Sequence, residues 1–275
     1  MFKTTLTLMS LVFLASCAVT PQVTPAARAD LAPTGKLRVG INFGNPLFAT
    51  RDPKTGESSG IAVDLAREFG RRLGVPVELV GYNSGGQLTA GLKAGGWDVA
   101  ILAFAEGRTN EISFSAPFAE ADATYLVPAG SPLRTAADVD RKGVRIAVSA
   151  KGGNDLFLTR TLKNATLVRA PSPEATFKLF VADKLEAYAN LKPSLLASAD
   201  KLPGSRLVEG RYTVIGYSAG VPKGRDAGAK VLAEFIEDAK ASGLVARSIE
   251  KHGIRGVNAA PPAQGGSRIE IGGSM

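Results

Sequence analysis

The segment Trp97 to Phe118, WDVAILAFAEGRTNEISFSAPF, concentrates the chemistry this chain offers. Val99 to Leu102 is a short apolar run with the length and flanks of a buried strand. A loop follows that carries Arg108, so a guanidinium stands just past the carboxyl end of a strand. In open α/β sheets, ligands settle in the crevice outside those ends. A guanidinium presents a planar fork of N–H donors that suits a carboxylate. The plainer alternative is a surface arginine paired with Glu106 or Glu111. A second candidate is Gly152-Gly153-Asn154, at the opening of a helical stretch. Main-chain N–H groups at a helix N-terminus attract anions, and glycine lets a ligand approach the backbone closely. The alternative there is that Gly153-Asn154 only turns the chain and caps the helix. Other chemistries lack their parts. His252 is the only histidine, at a helix end, so no Ser-His-Asp arrangement is completed. No set of His, Cys and acids has metal-ligand spacing. Gly85-Gly86 and Gly152-Gly153 match neither the dinucleotide nor the phosphate-loop pattern. Neither a metal nor another cofactor is expected.

Alternating strands and helices must position these groups. A strand is expected from residue 37 to 41, and then a long loop with Gly, Pro and Asp-Pro punctuation. Ile61, Leu65, Phe69 and Leu73 recur every fourth residue, so 60–73 is an amphipathic helix closed by Gly74 and Pro76. A strand at 77–80, a short helix at 87–94 and the strand after Asp98 complete a unit that argues for a parallel sheet covered on both faces. A strand at 123–127 leads to the breaker Pro128-Ala129-Gly130-Ser131-Pro132, and the alternation restarts. It runs through a strand at 144–148, a helix from Asn154 to Leu162 and a strand at 167–169. Ser172-Pro173-Glu174 opens a helix with a capping hydroxyl, proline in the first turn and an acid at the positive end. A strand at 185–190, a helix at 192–199, a strand at 213–220 and helices at 226–241 and 244–251 follow.

The order of four pieces is similar to the family 3 extracellular solute-binding proteins of bacterial transporters. They are LRVG (37–40), DPKTGE (52–57), GIAVDLA (60–66) and the segment around Arg108. The resemblance runs from Lys36 to Val257. It implies an α/β, two-lobed, periplasmic-binding-protein-like (type II) fold, each lobe a mostly parallel sheet flanked by helices. The implied boundaries are 36–127 for the first part of lobe 1, 128–212 for lobe 2 and 213–257 for the return to lobe 1. It implies that Arg108 grips a ligand carboxylate between lobes that close on a hinge. By register, Asn45 stands where relatives carry an aromatic that stacks on the ligand, and Phe48 matches an aromatic beneath the site. Phe104 replaces polar residues of the wall, lying either against ligand carbon or in the core. Gly152, Gly153 and Asn154 stand where relatives have Gly-Thr-Thr, without the hydroxyls but with the backbone donors. The acid that usually receives an ammonium falls on Leu191, with neutral Asn190 beside it. A buried ammonium without an anionic partner is costly. The expected ligand is therefore a carboxylate or similar anion, amino-acid-like or not, without a standard α-ammonium.

Composition and the leader agree with an exported binder. With 45% apolar residues the chain fills a core, and a net charge of +8 is spread without a clustered basic face, so nucleic acid is not an expected partner. Residues 1–16 read as a signal peptide, and Leu14-Ala15-Ser16-Cys17 as a lipobox with Cys17, the only cysteine, as the lipid-bearing first mature residue. The alternative is an ordinary signal peptide. Residues 17–35 read as a tether and 258–275 as a disordered tail. The expected whole is a periplasmic, membrane-anchored monomer and not an enzyme, serving an ABC permease of the inner membrane. Its rivals are a dehydratase-like enzyme on the same fold, with Glu106 the nearest acid, and a sensor or scaffold without transport.

Overall fold

The computed structural model describes residues 23–263. The expected signal peptide and Cys17 lie outside the described residues. The first described element corrects the tether. Pro25–Leu31 is a helix, α1, whose Thr24 hydroxyl accepts from the Ala27 N–H. Ala27 and Leu31, four apart, are both buried, and the helix packs against a long helix near the other end of the chain.

Lobe 1 then follows the expected alternation: β1 (Leu37–Asn42), a two-stranded ribbon of β2 (Thr50–Arg51) and β3 (Ser58–Ser59), α2 (Ile61–Leu73), β4 (Val77–Tyr82), α3 (Gly85–Lys93) and β5 (Val99–Ala103). Gly74, at φ 65°, ends α2 in the left-handed region, where a side chain would be strained. Ser84 caps α3 through its hydroxyl. Short β6 (Ile112–Phe114) and long β7 (Ala119–Val127) lead into lobe 2. That lobe holds β8 (Arg145–Ser149), α4 (Gly153–Thr161), β9 (Thr166–Ala170), α5 (Pro173–Ala182), β10 (Ala187–Leu191), α6 (Lys192–Ala199) and β11 (Arg206–Leu207). β12 (Thr213–Pro222) carries the chain back to α7 (Asp226–Ala241), α8 (Leu244–Lys251) and β13 (Val257–Ala259).

The eight main strands form one path, β4-β1-β5-β12-β7-β10-β8-β9. Pairing is parallel within each outer group, β4-β1-β5 and β10-β8-β9, and antiparallel at β12 and β7 between them. The lobes are thus halves of one curled sheet. Residues 119–121 of β7 pair with β13, while Ala123 to Leu126 already pair with β10. The crossing lies inside a strand, ahead of the expected boundary at 127. The tail is also shorter than expected: Val257 to Ala259 pair with β7, and the Ala260 and Ala263 N–H groups donate to Phe118 O and a Glu237 carboxylate.

The larger core cluster lies in lobe 1, around Val39, Ile41, Leu65, Phe69, Leu232 and Phe235. Lobe 2 fills two faces, one around Ile146, Val148 and Leu158 and the other around Phe180, Leu185 and Leu195. Asp98, fully buried at the start of β5, is held by Arg38 at 2.8 Å and Arg225 at 3.1 Å, which ties α7 to the sheet.

Candidate functional site

Between the lobes lies a cleft of about 350 Å³. Lobe 1 contributes the loop after β1 (Asn42, Gly44 to Leu47), the end of β5 (Leu102, Ala103), Gly85, Arg108 and, from the crossing strand, Tyr217. Lobe 2 contributes Ser149, Gly152 to Asn154, the first turn of α5, Tyr188 and Asn190 of β10, and one face of α6. Strand ends and helix starts converge there, as the sheet topology requires.

Arg108 is the last residue of a 3-10 turn, Glu106–Arg108, that follows β5 after Phe104 and Ala105. Its side chain is drawn inward, and the residue is 2% exposed. Nη1 donates to Ala103 O at 2.6 Å in its own lobe, and Nη2 to Lys151 O at 2.7 Å in the other. Nε is buried without an acceptor among the described residues. Burial brings the guanidinium down to about 10, which leaves it cationic at neutral pH. The alternative reading, a surface arginine paired with Glu106 or Glu111, is not what the structure has: Glu106 bonds Arg160 of α4 and Glu111 lies by Lys93. The Glu106–Arg160 pair joins the two lobes, and Glu106 is not among the cleft-lining residues.

The first-loop residues divide. Asn45 lines the cleft and donates from Nδ2 to the Tyr217 hydroxyl at 2.7 Å. Phe48 is buried beneath, stacked on the Tyr217 ring at 3.7 Å between centroids. Phe104 corrects its expectation: it is 40% exposed, lies edge-on to Phe114 and is not among the lining residues. Strand alternation turns Ala103 toward the cleft, and its neighbour is carried away.

In lobe 2, Gly152 rather than Asn154 is the N-cap of α4, and no side chain caps the helix. Asn154 instead accepts from the Tyr212 hydroxyl at 2.8 Å. Asp155 reaches back to the Lys151 N–H at 2.7 Å and also holds Arg169. The residues that open α4, Gly152 to Asn154, line the cleft, and no side chain caps the helix there. Leu191 is 1% exposed and packs in the lobe 1 core, whereas Asn190 lines the cleft. Asn190 Nδ2 donates to the Tyr188 hydroxyl at 2.7 Å, and its Oδ1 accepts from the Leu191 N–H.

Sequence reasoning missed Tyr217, Tyr188 and Glu174. Burial lifts both phenols, Tyr188 to about 12, so both stay neutral donors. A tyrosine in an otherwise apolar strand was the available signal, because a buried phenol needs a partner. Glu174 is the lining's one acid, but Lys178 on its own helix holds it at 2.6 Å, and that lysine's hydrogen bond lowers its carboxyl. His252 is far from this chemistry in its contacts, bonding Asp64 of α2 at 2.8 Å. Among the described residues, no His, Cys, Asp and Glu group could hold a metal, and no helix is long and apolar enough to cross a membrane.

The sequence profile of the bacterial extracellular solute-binding proteins, family 3, matches residues 37–254. A curated relative, the ABC transporter glutamine-binding protein GlnH of Bacillus subtilis (strain 168), is 23% identical over 78% of this chain and 80% of its own. A solved mutant of ArgBP from T. maritima overlays with a TM-score of 0.69 at 24% identity, covering 82% of this chain and 98% of that one. The arginine-bound substrate-binding protein AbpA of Streptococcus pneumoniae gives 0.68 at 20% identity, covering 81% and 96%. An ancestral amino-acid-binding protein, AncCDT-1, described as a precursor of cyclohexadienyl dehydratase, gives 0.67 at 22% identity over 81% and 96%.

Proposed function

The chain belongs to the bacterial extracellular solute-binding proteins, family 3, and from that premise we propose that it is the exported receptor of an ABC-type uptake system for a small carboxylate-bearing or other anionic solute. The observation that carries this is Arg108: a buried cation lining the interlobe cleft, hydrogen-bonded, among the described residues, to main-chain carbonyls alone. A buried charge without a counter-ion is costly, and a ligand carboxylate supplies one. The N–H groups opening α4 add donors from the other lobe. GlnH and AbpA are named for amino acids, which also bring a carboxylate. This cleft differs in what would meet an ammonium. Leu191 is buried in the core, Asn190 is neutral, and Glu174, the one acid among the described lining residues, is an exposed side chain paired with Lys178 rather than a buried one.

Closure of the lobes on a bound solute excludes water, which strengthens its contacts with Arg108. Cys17 would carry the lipid that keeps the receptor at a membrane, beside a permease that reads the closed form. The enzyme reading loses its nearest acid, because Glu106 bonds Arg160 outside the cleft lining. A neighbouring permease and ATPase gene pair would count against a sensor without transport.

A thermal-shift screen of carboxylates, amino acids and polyols, followed by calorimetry, tests the proposal. Carboxylates without an α-amine are expected to raise the melting temperature. Arg108→Gln is expected to weaken them roughly 10- to 150-fold, since a hydrogen bond to a charged group contributes about 1.5–3 kcal/mol. Micromolar or tighter binding of L-glutamine or L-arginine, with no response to carboxylates lacking the amine, would overturn the anionic assignment.

A further inference from the structure

Three glycines stand where the lobes meet. A Cβ on Gly86 of α3 would lie 2.7 Å from Ala150 O and 3.0 Å from Lys151 Cβ, both in lobe 2. A Cβ on Gly153 would lie 2.9 Å from Ala103 Cβ in lobe 1, and one on Gly256 2.7 Å from Pro193 Cγ in lobe 2. Gly256 has φ 75° and so has a backbone reason to be glycine. Gly153 lines the cleft. Gly86 has neither: it is in the first turn of a helix with an ordinary negative φ, where alanine is the better helix former. What it allows is the approach of the Lys151 turn, whose carbonyl receives Arg108 Nη2 across the same seam at 2.7 Å. Arg108 Nε, buried beside this junction without an acceptor, marks the same guanidinium as the group with unused donors.

We infer that Gly86 is a positioning residue for lobe closure: its missing side chain lets the Lys151 carbonyl reach Arg108, so one guanidinium serves both solute capture and the tie between lobes. This rests on the receptor reading for its purpose, but not for its test. Spin labels on Ala90→Cys and Lys163→Cys, both exposed and on opposite lobes, in a Cys17→Ser background, report the interlobe distance by double electron–electron resonance. Measurements are made alone and with succinate, glutarate, L-glutamine or L-arginine. The native chain is expected to show a short-distance population. Gly86→Ala is expected to lose it, and Gly86→Leu to lie longer still, while circular dichroism and the solute-free melting temperature are not lowered. For any of these solutes that binds the native chain, Gly86→Ala is expected to raise Kd at least tenfold. A short distance that persists in both variants overturns the inference, as does its absence from the native chain in every condition. Failure of the receptor reading would look different: none of the solutes would shift native melting, with the short distance still present and still dependent on Gly86.

Discussion

Asn190 and Leu191 set what the cleft can ask of a ligand's positive end. Leu191 points into the lobe 1 core, so a carboxylate at that position would be an unpaired buried charge and would damage folding rather than create a site. Asn190 is the position where an acid could act. Its Oδ1 accepts from the Leu191 N–H at 2.8 Å and its Nδ2 donates to the Tyr188 hydroxyl. Asn190→Asp keeps the first acceptor, and Tyr188 can turn its O–H to donate to the new oxygen. The variant is expected to gain roughly tenfold or more in affinity for L-glutamine or L-arginine, about 1.4 kcal/mol. It should weaken carboxylates that lack an amine by like-charge repulsion. Calorimetry of both ligand classes on both chains checks it, and unchanged selectivity would remove Asn190 from the site. The sequence register identified this pair and its neutrality. It put Asn190 among the ligand-binding residues although strict register falls on Leu191, and strand phase at the crossing with β7 is what turns Asn190 to the cleft and Leu191 to the core.

Elements whose ends are fixed by local chemistry were legible residue by residue. The helices at Lys192–Ala199, Asp226–Ala241 and Leu244–Lys251 start and stop where four-residue spacing and breakers place them. Ser172 caps α5 as its hydroxyl suggested. Elements held only by distant partners were not legible. α1 reads as tether because its seven residues are too few for a helix to stand alone. It stands on α7 through the Gly228 N–H to Asp30 and Arg225 to Asp30 O. β13 likewise exists only by pairing with β7. Asp98 shows how much one such long-range tie carries. Burial acts to raise its carboxyl, but hydrogen bonds from Arg38 and Arg225 outweigh that and hold it below the ordinary range. Asp98→Ala leaves two arginines facing an empty site and is expected to cost about 3–5 kcal/mol in urea unfolding. Because the folded-state pKa is the lower one, this contribution is present above the unfolded value of about 4 and fades as pH falls below it. Asp98→Asn should therefore lose less stability than the native chain between pH 6 and pH 3, and parallel losses would refute the tie.

At the scale of the whole molecule, two lobes suggest two unfolding events, but the strands argue for one. β7 and β12 each belong to both halves of the curled sheet, and no flexible linker separates the halves at that crossing. Ala123 pairs with Thr213 on one side and Leu191 on the other. Leu191, on a lobe 2 strand, fills the lobe 1 core, and Tyr212 packs against the clusters of both lobes. Unfolding lobe 2 alone would strip half the partners of β7 and open the lobe 1 core at Leu191. Scanning calorimetry is thus expected to give a single transition with calorimetric and van't Hoff enthalpies in a ratio near one. Two resolved transitions would show that the lobes fold apart. Under a single transition, a solute held between the lobes stabilises every element at once. At one hundred times its dissociation constant it adds about 2.7 kcal/mol, which for a chain of this size shifts the melting temperature by roughly 5–10 °C. That shift should move the whole transition without broadening it, because the same seam that binds the solute is crossed by the strands that hold both halves together.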